Sequence, residues 1–240
     1  MDIKNAEGEY TPRYCFMDEG EWNPKVPGDT LAVHMVKKGA TPQATIGYIT
    51  NGEADRHKIV LPENPGLYQV VHEVSGQDIE RRQQDTDIEQ IGHVLGMVHE
   101  QCRNDRDTFI QYRCQNIRGY GKSLTDAIMA GETDVENKLC GDKIFAEKYN
   151  IDGSQVTKNA QYADLPGILD EAEFDMGSIM MYPSNAFSNP ECGPEKMEKC
   201  PMVGIDRVDG KVTGTSWIHG SVVPSAGDIA FVKKWYPWND

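Results

Sequence analysis

The chain has 240 residues, a formal net charge of −14, and 38% apolar content with 8% aromatics. That is enough apolar chain to bury one large core or two smaller lobes. The acidic balance repels phosphate backbones and anionic lipid surfaces, so neither nucleic acid nor a membrane is an expected partner.

No apolar run approaches the ~20 residues that span a bilayer. The opening MDIKNAEGEY has neither the basic start nor the apolar stretch of a signal peptide. Residues 1–30, punctuated by Pro12, Pro24 and Pro27, are expected to form an extended arm tied down by Tyr14, Phe16 and Trp22. LAVHMV at 31–36, ATIGYI at 44–49 and KIVL at 58–61 alternate as strands do and predict a small amino-terminal sheet. His34, alone within the first of them, is expected to be a packed or surface side chain. After GLYQVVHE, residues 74–90 hold only Val74, Ile79 and Ile88 as large apolar residues and predict a solvated loop or a polar helix.

TFIQYRCQNI at 108–117 starts like a strand, helical patterns follow at 122–130 and 142–149, and a polar connection at 153–163 leads to FDMGSIMMYPSNAFS. Short strand signals lie in VGIDRV and KVTGTSWI. Ser225 and Asp228 form a capping box ahead of IAFVKKWY, predicting a last helix that Pro237 stops. Six cysteines permit a disulfide framework, with Cys192–Cys200 the easiest pair to close and Cys114–Cys140 the second choice; Cys15 and Cys102 remain, and some of the six can equally be buried thiols.

The chemistry is concentrated in IGHVLGMVHEQCRNDRD at 91–107. His93 and His99 flank Gly96, a residue that can turn the backbone at low steric cost so that both imidazoles converge on one metal ion. This is the right-hand half of the zinc pattern H-E-x-x-H-x-x-G-x-x-H. At the positions of its first histidine and general base stand Glu89 and Gln90.

His93, Gly96, His99, Glu100 and the run Arg103-Asn104-Asp105-Arg106-Asp107 together resemble the astacin family of metzincin zinc endopeptidases. SIMMY at 178–182 resembles the family's S-I-M-H-Y turn, with Met181 where histidine is common, and the terminal SAGDIAFVKKWYPW resembles its last helix. The resemblance implies an α+β, metzincin-like two-lobed zinc-peptidase domain over 31–240, with a small amino-terminal sheet and an active-site helix. It also implies Zn2+ as cofactor, peptide-bond hydrolysis in protein or peptide substrates, a monomer, and secretion, which the cysteine content suits. Met180 would floor the metal site, and the hydroxyl of Tyr182 would steady the developing oxyanion. Glu100 would anchor structure, and the RNDRD run would make buried ion pairs that fix the site.

Two registers remain open. In the first, Glu89, His93 and His99 hold the metal; carboxylate oxygens do bind zinc, but the amide of Gln90 cannot take a proton, and the chain is then a pseudoprotease that binds zinc or polypeptide. In the second, which we favour for locating the family's residues, 74–90 is an insertion. Removing it joins QVVHE to IGHVLGMVHE and restores the whole pattern, with His72, His93 and His99 as ligands and Glu73 as general base. The Val-Ser start and Gln end of the segment can be encoded as splice-donor-like and acceptor-like sequences, in keeping with a retained short intron. On one continuous helix His72 and His93 would stand about 31 Å apart at ~1.5 Å per residue, so the second register requires 74–90 to loop out.

Overall fold

A computed structural model describes residues 14–17, 31–36, 43–45, 58–62, 89–158 and 173–236. These fall in two units, Met1–Val98 and His99–Asp240, and each combines helices with strands or short turns.

The first unit carries a four-stranded sheet of β1 (Tyr14–Met17), β2 (Leu31–Val36), β3 (Gln43–Ala44) and β4 (Lys58–Pro62). Its order is β1-β2-β4-β3; β1 and β4 run parallel to β2, and β3 runs antiparallel to β4. The predicted strands at 31–36 and 58–61 are therefore present; of ATIGYI, residues 46–49 lie outside the described residues. His34 pairs across the sheet with Met17 and Val60 and is half-buried, a strand residue rather than part of the metal group described below. Thr45 clips the edge: its backbone N–H donates to Lys58 O at 2.9 Å and its Oγ1 accepts from Lys58 N at 3.0 Å.

Residues 89–94 are helical and form α1. Val94 packs on Ile59 of β4, with Leu31 and Ala44 alongside, which fixes the helix to the sheet by its apolar face. The helix ends in a Schellman pair: Gly96 N–H donates to His93 O at 2.8 Å and Met97 N–H to Gly92 O at 2.9 Å. Gly96 has φ +91°, the left-handed conformation that a side chain resists, so this glycine is what stops the helix.

The second unit begins with irregular turns and then β5 (Ile110–Tyr112), followed by α2 (Tyr120–Met129), α3 (Val135–Gly141) and α4 (Lys143–Lys148). β6 (Met202–Val208) and β7 (Lys211–Ser216) join β5 in an antiparallel sheet of order β5-β6-β7, and α5 (Ala226–Trp235) closes the described chain. One core gathers Ile117, Ala127, Leu139, Ala146 and Ile151 among the helices; another gathers Ile110, Val156, Met181, Met202 and Ile218 beside the sheet. Both expected disulfides are present. Cys114–Cys140 ties the turn after β5 to α3, and Cys192–Cys200 closes the loop ahead of β6. Cys102 is a buried free thiol.

The sequence pattern did not single out α3. It has under two turns and buries just Val135 and Leu139, so its periodic signal is too short to stand out, and the disulfide at Cys140 supplies part of its anchorage. The capping box of α5 is present in full, Ser225 accepting from Asp228 N–H and Asp228 accepting from Ser225 N–H.

Candidate metal centre

Helical spacing puts Glu89 and His93 one turn apart on α1, with Glu89 Oε1 3.8 Å from His93 Nε2. The chain then breaks at Gly96 and returns extended, so that His99, at φ −63° and ψ 130°, presents its ring to the same point. Along this continuous stretch one ligand atom from each of Glu89, His93 and His99 lies within 4.8 Å of the other two. His93 and His99 are buried and Glu89 is half-buried.

Both imidazoles are oriented by backbone carbonyls. His93 Nδ1 lies 3.0 Å from Met97 O, and His99 Nδ1 lies 3.2 Å from Met180 O. A carbonyl has no proton to give, so each Nδ1 is the donor and each neutral ring carries its lone pair on Nε2. That is how metal-binding histidines are commonly held, the second nitrogen's proton fixing tautomer and ring plane. Two imidazoles and a carboxylate are a zinc-compatible donor set. Ligands ~2.0–2.1 Å from a tetrahedral ion stand roughly 3.3 Å apart, a spacing that modest side-chain rotation reaches from the one observed. The residues present fit the ion.

Gln90, buried at 7% exposure, follows Glu89 in the general-base place of this register. His72 and Glu73 lie outside the described residues, as do residues 74–88 of the expected insertion; Glu89 and Gln90 are in α1.

The second unit supplies a floor and a wall around His99. Met180 and Met181 are buried, and Met180 O accepts from Glu100 N–H at 3.1 Å as well as from His99. The ring of Tyr182 lies 4.3 Å from that of His99, centroid to centroid, and Tyr182 N–H donates to Gln101 Oε1 at 3.0 Å. Glu100, beside the ligand, accepts from Asp175 N–H at 3.4 Å. Burial pushes its carboxyl up to about 7 against the opposing pull of Arg103.

The arginines of the RNDRD run are buried and the acids are not. Arg103 forks onto Asp105 at 2.9 and 2.8 Å and faces Phe174, while Arg106 donates to Gln101 O at 2.7 Å and to Val156 O, and lies 4.6 Å over the ring of Tyr112. The expected ion pairs exist, but Asp105 and Asp107 reach solvent, so what Arg106 holds in the interior is chiefly backbone. Gln101, Ser178 and Asp228 were not singled out for the site from sequence. Ser178 lies within the recognised SIMMY block and Asp228 within the capping box, so the signal was local and its reach to His99 was not.

Fold and donor set together define a mixed α+β protein with a site suited to a divalent metal. Its resemblance to the astacin family holds: residues 49–134 match the family model described as Astacin (Peptidase family M12-A). Curated proteins yield no match. Among solved structures, high choriolytic enzyme 1 (HCE-1), a hatching enzyme zinc-protease from Oryzias latipes (medaka fish), is 16% identical with a TM-score of 0.48, covering 88% of this chain and 70% of that one. Two structures of myroilysin are 18% and 21% identical, with TM-scores of 0.40 and 0.38, covering 88% and 87% of this chain and 74% and 66% of theirs.

Proposed function

We propose that the chain is an astacin-type zinc-peptidase domain acting on peptide bonds of protein substrates, and that in the sequence as it stands zinc is held by Glu89, His93 and His99. The observation that carries this reading is the convergence of those three donors within 4.8 Å, with both imidazoles oriented through Nδ1. Residues 31–240 form the peptidase domain, 1–30 an arm and 74–90 an insertion; the chain acts outside the cell as a monomer, in keeping with its disulfides.

When bound, zinc polarises the scissile carbonyl and acidifies the attacking water. The remaining work falls to side chains. Glu73 takes the proton of that water on its carboxylate and returns it to the departing amine. The Tyr182 hydroxyl donates to the oxygen on which charge develops, and its ring against His99 places it on the correct side for that role. In this register of hydrolysis His72 replaces Glu89 as ligand.

The burial of Gln90 directly after Glu89 favours a second reading for the full chain, a pseudoprotease that binds zinc or polypeptide without cutting it. An amide offers no basic lone pair to the water. One experiment separates the two: zinc content and casein cleavage, measured for the full chain and for a form lacking 74–90. Cleavage by the shortened form alone places the catalytic pair at His72 and Glu73 and makes the insertion inactivating; cleavage by neither, with zinc bound to both, establishes the pseudoprotease. Absence of stoichiometric zinc from both overturns the metal-site reading.

A further inference from the structure

We propose that Asp228, at the start of the last helix, is a positioning residue for His99, acting through Ser178 and the Met180 peptide. Asp228 is 4% exposed, and its two oxygens accept three hydrogen bonds. Oδ1 accepts from Ser178 Oγ at 2.6 Å, and Oδ2 accepts from Ile179 N–H at 3.0 Å and Ser225 N–H at 2.8 Å. Ser178 Oγ in turn accepts from Met180 N–H at 3.0 Å, and Met180 O receives both His99 Nδ1 at 3.2 Å and Glu100 N–H at 3.1 Å. The relay is continuous: carboxylate, hydroxyl, peptide, imidazole.

Residues 178–182 belong to neither helix nor strand, so no ladder of backbone bonds fixes which way the Met180 carbonyl points. What fixes it is the pair of bonds on either side of its peptide. Hydrogen bonds to an ionised acceptor are roughly twice as strong as neutral ones, and here the charged acceptor is buried at the root of the relay. If the Met180 carbonyl turns away, His99 loses the acceptor that holds its proton on Nδ1, and the Nε2 lone pair loses its fixed direction. Ser225 serves as an internal control. Its Oγ accepts from Asp228 N–H at 3.0 Å and donates to Asp175 Oδ2 at 2.5 Å, so it caps α5 but touches neither Ser178 nor Met180.

The effect on metal binding rests on the zinc reading above; the effect on the imidazole does not. The test therefore uses the full chain with 15N-labelled histidine, His99 being assigned by its loss in H99Q. In the metal-free parent, His99 shows a single tautomer protonated at Nδ1. Asp228→Ala and Ser178→Ala are expected to give a mixture of tautomers at His99 and, in titrations with Co2+ followed by its visible absorption, a Kd raised about 10- to 100-fold. Ser225→Ala is expected to lower Tm while leaving both readouts at parent values. Should Asp228→Ala fail to fold, Ser178→Ala carries the test alone, because it cuts the relay and leaves Asp228 bonded to Ile179 and Ser225. Parent-like tautomer and Kd in Ser178→Ala, with only Tm lowered, overturn the proposal. A tautomer change in a chain whose parent binds no Co2+ upholds the positioning role and rejects the zinc reading.

Discussion

Glu89 Oε1 and His93 Nε2 lie 3.8 Å apart across one turn of α1, which puts a carboxylate where the zinc pattern has its first histidine. The same helical spacing would seat an imidazole at 89 on that face, and a carboxylate at 90 would take the place of the buried Gln90. The double substitution E89H/Q90E therefore writes the complete pattern into the chain without removing 74–90. A general base contributes about 10²–10⁴ in rate, so casein cleavage is expected to rise at least ~100-fold over the parent. Stoichiometric zinc without such a gain would show that α1 is not in the register of the family's active-site helix.

Removing the carboxylate alone tests the ligand set. Glu89→Gln keeps the volume and withdraws the charged donor, and two imidazoles bind zinc far less tightly than two imidazoles and a carboxylate. Zinc affinity measured with a competing chelator is expected to fall by more than ~10-fold, while the far-ultraviolet circular dichroism of the apo protein stays at parent values. An unchanged affinity would assign the third ligand to another residue.

The parts of this fold and site that were legible in sequence were those written locally. Gly96 declared the helix stop because a single φ of +91° is a one-residue requirement; Ser225 and Asp228 declared α5 because a capping box spans four positions; strands at 31–36 and 58–62 declared themselves by alternation. What was not legible is what long-range geometry decides. His99 depends on Met180, 81 positions away, and Ser178 on Asp228, 50 away. Neither separation leaves a periodic trace. The RNDRD run is instructive in the other direction: its charges are local, but the sequence could not say that the arginines face inward onto carbonyls while the aspartates reach solvent.

Arg106 is the buried member of that run whose loss should be felt most. Its guanidinium satisfies Gln101 O and Val156 O and covers the face of Tyr112, joining the segment after His99 to the turn at 152–156. Lysine cannot fork onto two carbonyls or stack as a plane, so Arg106→Lys is expected to cost about 2–4 kcal/mol. Urea unfolding reads this directly; a cost below ~0.5 kcal/mol would show that water replaces the guanidinium without penalty.

The cysteines should behave in two opposite ways. Breaking Cys114–Cys140 by the paired change to serine frees a loop with a separation of 26 residues, and loop entropy of that order is worth about 3–4 kcal/mol, visible as a lower urea midpoint. Cys102 should be silent in the folded protein: burial pushes its thiol up to about 12, against the weaker pull of Arg106 and Lys143. Since the thiolate is the reactive form, iodoacetamide at pH 8 is expected to leave Cys102 unlabelled until denaturant is added, as peptide mapping would reveal. Labelling under native conditions would mean that the segment opens on the timescale of the reaction.

Asp105 sets the acid side of stability. The hydrogen bonds donated by Arg103 hold its carboxyl below the ordinary aspartate value, more strongly than its partial burial raises it. A carboxyl whose folded pKa lies below its unfolded one contributes stability that is fully present above the unfolded value, near 4, and is lost as pH falls through the folded value. Asp105→Asn is therefore expected to lower Tm at pH 6 to 7 and to make Tm fall less steeply below pH 4 than in the parent, so that the two curves approach each other in acid. Because the Asp105 side chain is 39% exposed, solvent screens the pair and the gap at neutral pH should be modest, shrinking further in 0.5 M salt. Parallel Tm curves from pH 7 to 3 would show that Arg103 gains nothing from the charge and that its burial is sustained by Phe174 and Glu100 instead.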